Sequence, residues 1–377
     1  MQRICLFVSS FFFLSHLYAA SAPPLKIENI EFKVKKTNID FGEPIILPFV
    51  SSSLPKAAKK MNDYLYIDIA GTPAPSKAKD GIVRNLTEED NDPIAGVTAM
   101  QYKVLVNNGK LLSLKTDAEF CGAYCEEYSQ SYSFDAATGR YILLQDIFTD
   151  AGLETLKEKV YAARVATIKK EIKRLKAEVA KPASKNKKQH EYAADDESSI
   201  FLYESCLLTE AQSHQDEMQS GDHHELDFFT IQSNHIVFTH SRCSNHASRA
   251  LDEIDQFKNQ YSIQSLKPYL TPYAKYLLLN ERVAKPVGSM GQVLYGTLGK
   301  ANITMKIHRH EGFDRMFRAV YFDDVKRRPI EISGDGSNWT ESNSTSKKQP
   351  QIVANWKNDV LVGEWQGDKI LPFKVTP

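Results

Sequence analysis

The sequence predicts an α+β fold, an antiparallel sheet with packed helices and a long charged helical insertion, followed by a small all-β barrel or sandwich domain. Three patterns predict it: apolar residues that partly alternate near the start, a long helical stripe in the middle, and short apolar runs separated by Gly, Asp and Asn after residue 288. The 377 residues exceed the roughly 150 typical of one domain, so we expect two.

The first residues have the pattern of a secretory signal peptide. Arg3 supplies the positive start, residues 4–17 are largely apolar, and residues 19–22 are small, as a cleavage site requires. The apolar run is shorter than the roughly 20 residues that a membrane-spanning helix needs, and an uncleaved anchor is the alternative. We therefore predict a signal peptide over residues 1–22 and a periplasmic or secreted protein with no transmembrane segment after signal removal.

The elements that follow begin with two apolar segments and a helix. Partial alternation over residues 25–34 predicts an opening strand, and a second apolar run covers residues 45–50. Residues 54–69 carry apolar side chains near helical spacing, which predicts a helix whose N-cap is Ser52 or Ser53.

Two hairpins are predicted next. Asn108-Gly109 lies between the apolar residues 100–106 and 111–114, and Asn-Gly readily adopts the positive φ angles of a tight turn. A second Gly-containing turn separates residues 128–134 from residues 141–144. Both hairpins favour a largely antiparallel sheet.

A charged insertion is predicted over residues 150–227. Its first helix ends at Pro182, and the block from Lys169 to Lys188 is strongly basic, whereas residues 189–241 contain no Lys or Arg. The two blocks either fold against each other or form a solvated, mobile insertion. One apolar stripe follows the helix at Tyr161, Val165, Ile168, Ile172, Leu175 and Val179.

Charge and motifs exclude several functional classes. Lys+Arg and Asp+Glu both number 47, which removes the simplest argument for nucleic-acid binding. The sequence contains no H-E-x-x-H, no phosphate-binding loop and no G-x-S-x-G elbow. We therefore predict no enzymatic activity, no catalytic residues and no cofactor.

Four cysteines remain once the predicted signal peptide is removed, an even number that suits an oxidising compartment. Three pairings are possible for Cys121, Cys125, Cys206 and Cys243. We favour Cys121 with Cys125 and Cys206 with Cys243, because the second link clamps the end of the insertion. The alternative is a four-Cys zinc site, but Cys206 and Cys243 lack close partners at zinc-finger spacing.

Two groups of histidines have the side chain that most often binds metal ions. His214, His223 and His224 lie among carboxylates, yet their spacing matches no common site, so we predict a solvated acidic loop and no metal. His308 and His310 fall on one face of a predicted strand, where we expect an exposed pair.

All three tryptophans, Trp339, Trp356 and Trp365, fall in the β-rich tail. An exposed Trp can stack on a sugar or anchor a protein partner, so we predict them as binding contacts. Packing in the core of the tail is the alternative.

A resemblance to a known family begins at the first hairpin. Residues 112–124, with Gly122-Ala123-Tyr124, residues 132–140, with Phe134-Asp135 and Thr138-Gly139, and residues 144–148 resemble the domain of unknown function in the RsiV/PdaC family, from a lysozyme-sensing anti-sigma factor and the non-catalytic part of a peptidoglycan deacetylase. The resemblance covers roughly residues 25–275. Neither a sigma-binding region nor a deacetylase domain is present, so neither activity is expected.

The resemblance implies a binding module at the cell wall. We predict an RsiV/PdaC-like domain over residues 23–279 and a small β domain over residues 289–377. The protein is expected to be a non-enzymatic binding protein that recognises a cell-wall glycan or a secreted or envelope protein such as lysozyme. The alternatives are an envelope hydrolase with an unrecognised site and a structural envelope protein. The predicted contacts are Gly122, Ala123, Tyr124, Glu126, Trp339, Trp356 and Trp365.

Overall fold

The structure is a computed structural model. It describes residues 23–35, 44–85, 94, 96–122, 124–181, 187–220, 223, 226–286, 291–309, 317–342 and 349–377, with the backbone alone at 33–35, 82–85, 187–194 and 309. The predicted signal peptide and the predicted contact Ala123 lie outside these ranges. The predicted α+β class, the C-terminal β unit and the helical insertion are confirmed.

The first sheet has six strands in the order β3-β1-β2-β4-β5-β6. The Asn-Gly hairpin is confirmed, since β4 and β5 pair antiparallel around it. Two pairs, β1 with β3 and β2 with β4, are parallel, because the chain crosses over between their strands. The strands are β1 Lys26–Lys35, β2 Ile45–Ser51, β3 Ile82–Asn85, β4 Val97–Asn107, β5 Leu111–Cys121 and β6 Cys125–Asp135.

Helix α1, Pro55–Ala70, supplies the crossover between β2 and β4 and covers one face of this sheet. Its N-cap is Leu54 and makes no side-chain capping bond, so the predicted Ser cap is wrong. Pro55 at the first helical position needs no hydrogen-bond acceptor for its nitrogen, and its fixed φ suits that position. Met61 and Leu65 are fully buried against the sheet.

The second predicted hairpin is present only as a closed turn, and its second strand is wrong. The Asp135 amide donates to the Arg140 carbonyl at 2.9 Å and Phe134 bridges Tyr141 antiparallel, after which the chain enters α2, Leu144–Ile147. Asp146 accepts the backbone N–H of Leu143, 3.0 Å away, and so stabilises the helical turn. Further on, a three-stranded antiparallel sheet and two helices complete a second core: β7 Phe229–Ile231, β8 His235–His240, β9 Phe257–Ser262, α5 Ile263–Leu266 and α6 Pro272–Leu279.

The insertion is a pair of long helices, α3 Asp150–Val179 and α4 Lys187–Ser220, that pack against each other. Three residues of the predicted stripe, Ile168, Ile172 and Leu175, are buried in their interface and belong to one cluster with Tyr203. The stripe residues Tyr161, Val165 and Val179 are only partly buried. Arg164 of α3 forms a buried ion pair with Glu210 of α4. Lys176 of the basic block pairs with Glu204 of α4 at 2.7 Å, so the oppositely charged blocks fold against each other. Within the ranges given above, no helix is both long and apolar enough to cross a membrane.

The C-terminal unit is a closed antiparallel barrel of eight strands, which decides between the two predicted all-β forms. Each strand pairs with the next, and the last pairs with the first. Inward-facing side chains fill the interior with a core that includes Trp339. The strands are β10 Val293–Leu298, β11 Ala301–Arg309, β12 Phe317–Asp323, β13 Pro329–Gly334, β14 Asn338–Glu341, β15 Gln351–Lys357, β16 Val360–Gln366 and β17 Ile370–Thr376.

Polar contacts join the barrel to α1. Lys306 alternates on β11 with side chains of the barrel core, so it points outward, and its ammonium contacts the carboxylate of Asp68. The same ammonium lies 3.9 Å from the centre of the Tyr64 ring. Tyr295 of β10 donates a hydrogen bond to Asp63, 2.8 Å away. These contacts bury charge between the two units.

Candidate functional site

The tip of the β5–β6 hairpin is closed by a disulfide between Cys121 and Cys125, as predicted. The two Cα atoms are 4.0 Å apart and face each other across the strand pair. Inside the turn, the Gly122 amide donates to the Tyr124 carbonyl at 3.0 Å, and the Cys121 amide donates to the Gly96 carbonyl at 2.7 Å. The tip is therefore held by the disulfide and by a backbone hydrogen bond to Gly96 of the same chain.

Three aromatic side chains are exposed on this hairpin end. Tyr124 is 68% exposed, Phe120 43% and Tyr128 42%, and we call these three residues the aromatic tip. The Phe120 ring packs over Gly96, where a Cβ atom would lie 2.5 Å from the ring. Exposed large aromatic residues that are rigidly held are typical of binding surfaces.

A polar brace supports the tip from a distant part of the chain. Glu126 accepts hydrogen bonds from His246 Nδ1 and from Arg242 Nη2, both at 2.8 Å. The Tyr124 ring lies against the His246 imidazole, with centroids 4.2 Å apart. The hydrogen bond from His246, followed by that from Arg242, lowers the pKa of Glu126 against the opposing effect of burial. Tyr124 and Glu126 were predicted as contacts, whereas the two residues that brace them were not.

The segment that carries the brace is itself anchored by the second disulfide. Cys243, between the two bracing residues, bonds to Cys206 of α4, and this pairing is also as predicted. The amide of Ser244 donates to Asp252 at 2.8 Å, and Tyr203 donates to the same carboxylate at 2.9 Å. The first disulfide therefore closes the turn that carries Tyr124, and the second fixes the segment that carries Arg242 and His246 to helix α4.

The geometry provides no thiolate for a metal. Glu119, Cys121 and Cys125 place ligand atoms within 4.8 Å of one another, the one such group found over the described ranges. Both sulfur atoms are bonded to each other, so they cannot act as thiolate ligands. The two separate disulfides also overturn the zinc alternative. His214 was predicted to lie in a solvated acidic loop, but it lies within helix α4. Its ring stacks on Tyr161, and its Nε2 atom is 3.2 Å from a carboxylate oxygen of Glu158.

The three tryptophans do not share one role. Trp339 is 1% exposed and packs in the barrel core, so a partner cannot reach it and the predicted contact is wrong at this residue. Trp356 is partly buried against the same core. Trp365 is also partly buried, and its indole N–H donates to Glu341 at 2.6 Å.

A second cluster of titratable groups lies between α1 and the barrel. Burial, and then the nearby Lys306, lowers the pKa of His308 to about 4. The His308 side chain is only partly exposed, so the predicted exposed pair is wrong for this residue, while His310 lies outside the described residues. Burial raises the pKa of Asp68, but Lys306, His308 and Tyr132 together hold it below its ordinary value. This carboxylate is engaged by Lys306, so the cluster serves as a joint between the two units.

Comparison with known proteins gives likenesses of structure, among them two members of the DUF3298 family. No family model matches the chain, and no curated protein matches it. A crystal structure of a DUF3298 family member from Bacteroides fragilis is 13% identical, with a TM-score of 0.40, and covers 68% of this chain and 98% of its own. A DUF3298 family protein from Pseudomonas aeruginosa is 10% identical, with a TM-score of 0.33 and the same coverage of 68% and 98%.

Proposed function

We propose that this protein is a non-enzymatic binding protein of the periplasm or the extracellular space. It recognises a cell-wall glycan or a wall-directed protein such as lysozyme through the aromatic tip. The observation that carries the proposal is the braced exposure of Tyr124, whose ring projects from a disulfide-closed turn.

Rigidity is what makes the tip suited to binding. Association requires side chains and loops to be ordered, at about 0.5–1.5 kcal/mol per mobile side chain. The disulfide and the contact with His246 order Tyr124 before any partner arrives. Tyr and Arg are also enriched among the residues that dominate binding energy, and Arg242 lies in the brace beside Tyr124.

Compartment and family resemblance agree with this proposal. Two disulfides are typical of proteins that fold in an oxidising environment. The predicted signal peptide would direct the chain to such an environment outside the cytoplasm. The resemblance of residues 112–148 to the RsiV/PdaC domain supports a role at the cell wall.

The test measures binding of the oxidised chain to immobilised peptidoglycan fragments and to lysozyme, by biolayer interferometry. We expect Tyr124→Ala to weaken the affinity at least tenfold, as truncation of a central aromatic contact costs about 2 kcal/mol or more. Phe201→Ala is the matched control, because Phe201 is equally exposed, at 72%, on helix α4. Replacing both Cys121 and Cys125 by Ser should weaken binding more than it lowers thermal stability.

Two outcomes would contradict the proposal. The first is no saturable binding to either ligand by the unmodified chain. The second is binding that Tyr124→Ala and Phe201→Ala reduce equally, since that would mean that general surface apolarity, and not the aromatic tip, is responsible.

A further inference from the structure

Among the described residues, one carboxylate inside the barrel, that of Glu341, forms no ion pair. Glu341 on β14 lies opposite Ile332, and Trp365 on β16 lies opposite Ile352, both of which belong to the barrel core. Residues directly opposite on paired strands point to the same face, so both side chains point into the barrel. Tyr321, itself a core residue, completes the group.

All three residues lie at one end of the barrel. Glu341 is the last residue of β14, and Trp365 is the last but one of β16. Tyr321 comes two residues before the end of β12, and consecutive strands of the barrel are antiparallel, so β12, β14 and β16 all run toward this end. We call the end defined by Tyr321, Glu341 and Trp365 the barrel mouth.

The carboxylate uses only one of its oxygens within the barrel. Tyr321 OH and Trp365 Nε1 both donate to Oε1 of Glu341, each at 2.6 Å. No donor from the described part of the chain reaches Oε2. Glu341 as a whole is only 7% exposed.

Other carboxylates with little exposure form ion pairs. Asp63 pairs with Lys59, Asp146 with Arg140 and Glu210 with Arg164. No Lys, Arg or His of the described ranges lies within ion-pair distance of the carboxylate at the barrel mouth. Oε2 has no donor among the described residues and is not fully buried, so it reaches solvent at the barrel mouth, where a cation can approach it.

Asp135 is the informative comparison, because it too lacks a cation. It accepts backbone N–H groups from Ala137 and Thr138 and a hydrogen bond from Tyr273, so its oxygens are used within the fold. Glu341 has no such use for Oε2. Its second oxygen is the kind of group that a bound cation would satisfy.

An aromatic surface adjoins the carboxylate. The Trp365 ring lies against the backbone of Gly367, where a Cβ atom would be 2.2 Å from the ring. This contact fixes the ring beside the carboxylate and leaves it partly exposed. A fixed indole next to a carboxylate can bind both the charge and the adjoining apolar atoms of an organic cation.

We propose that the barrel mouth binds a small molecule that carries a protonated primary amine. The ammonium group donates to Oε2 of Glu341, and the carbon skeleton next to it packs against the Trp365 ring. This site is separate from the aromatic tip and does not depend on the function proposed for it.

The test follows the indole N–H signals of the full chain by nitrogen-correlated NMR at neutral pH. The chain has three tryptophans, so three signals are expected, and Trp365→Phe assigns the one at the barrel mouth. The probes are glucosamine hydrochloride and n-butylammonium chloride, with N-acetylglucosamine as the neutral comparison. We expect a saturable shift of the Trp365 signal with both amines, with a Kd on the order of 1 mM or tighter, and no saturable shift with the amide.

Two variants separate the charge from the shape of the site. Glu341→Gln keeps the size and one acceptor oxygen but removes the charge, and should weaken binding of the amines at least tenfold. Asp368→Asn is the matched control, because Asp368 is an exposed carboxylate in the turn at the same end, and it should leave the affinity unchanged within about twofold. Unchanged Trp339 and Trp356 signals would establish that Glu341→Gln remains folded.

The proposal would be overturned by any of three results: no saturable shift with either amine, an equal shift with N-acetylglucosamine, or equal affinity in Glu341→Gln. If Glu341→Gln does not fold, Tyr321→Phe provides a second test, because it removes one donor to Oε1 and keeps the charge of Glu341. Binding of the amines should survive in Tyr321→Phe within a few fold, and its complete loss there would also count against the proposal.

Discussion

The buried imidazole between α1 and the barrel predicts a loss of stability in mild acid. His308 has its pKa lowered from 6.5 to about 4, first by burial and then by the positive charge of Lys306, with Asp68 opposing in part. The unfolded chain therefore binds more protons than the folded chain between pH 4 and pH 6.5. Its free energy of unfolding must fall as the pH is lowered through that window.

The size of the effect follows from the two pKa values. Moving from 6.5 in the unfolded chain to about 4 in the folded chain corresponds to about 3 kcal/mol, all of it retained above pH 7 and most of it lost by pH 4. Asp68 does not titrate in this window, because its pKa lies below its ordinary value of 3.8. Its own contribution to stability is lost only at lower pH.

The assay is urea unfolding followed by tryptophan fluorescence at several pH values, in the original chain and in His308→Gln. All three tryptophans lie in barrel strands, so the signal reports the unit that carries His308. The difference in unfolding free energy between the two proteins should change by about 3 kcal/mol from pH 7 to pH 4. Parallel curves for the two proteins across this range would refute the reasoning.

Two further predictions concern backbone and covalent links. Gly139→Ala should destabilise the chain about 2 kcal/mol more than Gly81→Ala, measured by circular dichroism during urea unfolding. Both glycines have left-handed φ angles, 74° and 62°, but only at Gly139 would a Cβ atom approach a backbone atom, the carbonyl oxygen of Ala57, at 2.3 Å. Replacing Cys206 and Cys243 by Ser should cost about 4 kcal/mol by loop entropy, because the link spans 37 residues. The Cys121–Cys125 link spans only 4 residues, so the same change there should cost about half as much, and equal costs would contradict the loop-entropy argument.

Local patterns in the sequence predicted the elements whose causes are themselves local. The Asn108-Gly109 turn sets the β4–β5 hairpin, and the apolar stripe on α3 sets the packing of the insertion. The second predicted hairpin has its turn but not its second strand, because Asp146 stabilises a helical turn soon after the bridge between Phe134 and Tyr141. Short apolar runs separated by Gly, Asp and Asn predicted strands near the C-terminus but could not decide between a sandwich and a barrel.

Contacts between distant residues carry most of the site, and these were not predicted. Glu126 meets Arg242 and His246 across more than 115 positions, and Lys306 meets Asp68 across 238. Nothing in the spacing of these residues marks them as partners, since only the folded topology brings them together. The disulfide pairings were predicted because cysteine has few alternative partners.

Closure of the barrel limits how one molecule can add to another through backbone pairing. β10 bonds to both β11 and β17, so every barrel strand has a neighbour on each side and none is left to recruit a strand from a second chain. The six-stranded sheet, by contrast, ends at β3 and β6. The three-stranded sheet likewise ends at β7 and β9, so intermolecular sheet extension, and with it ordered aggregation, should start from the edges of these open sheets and not from the barrel.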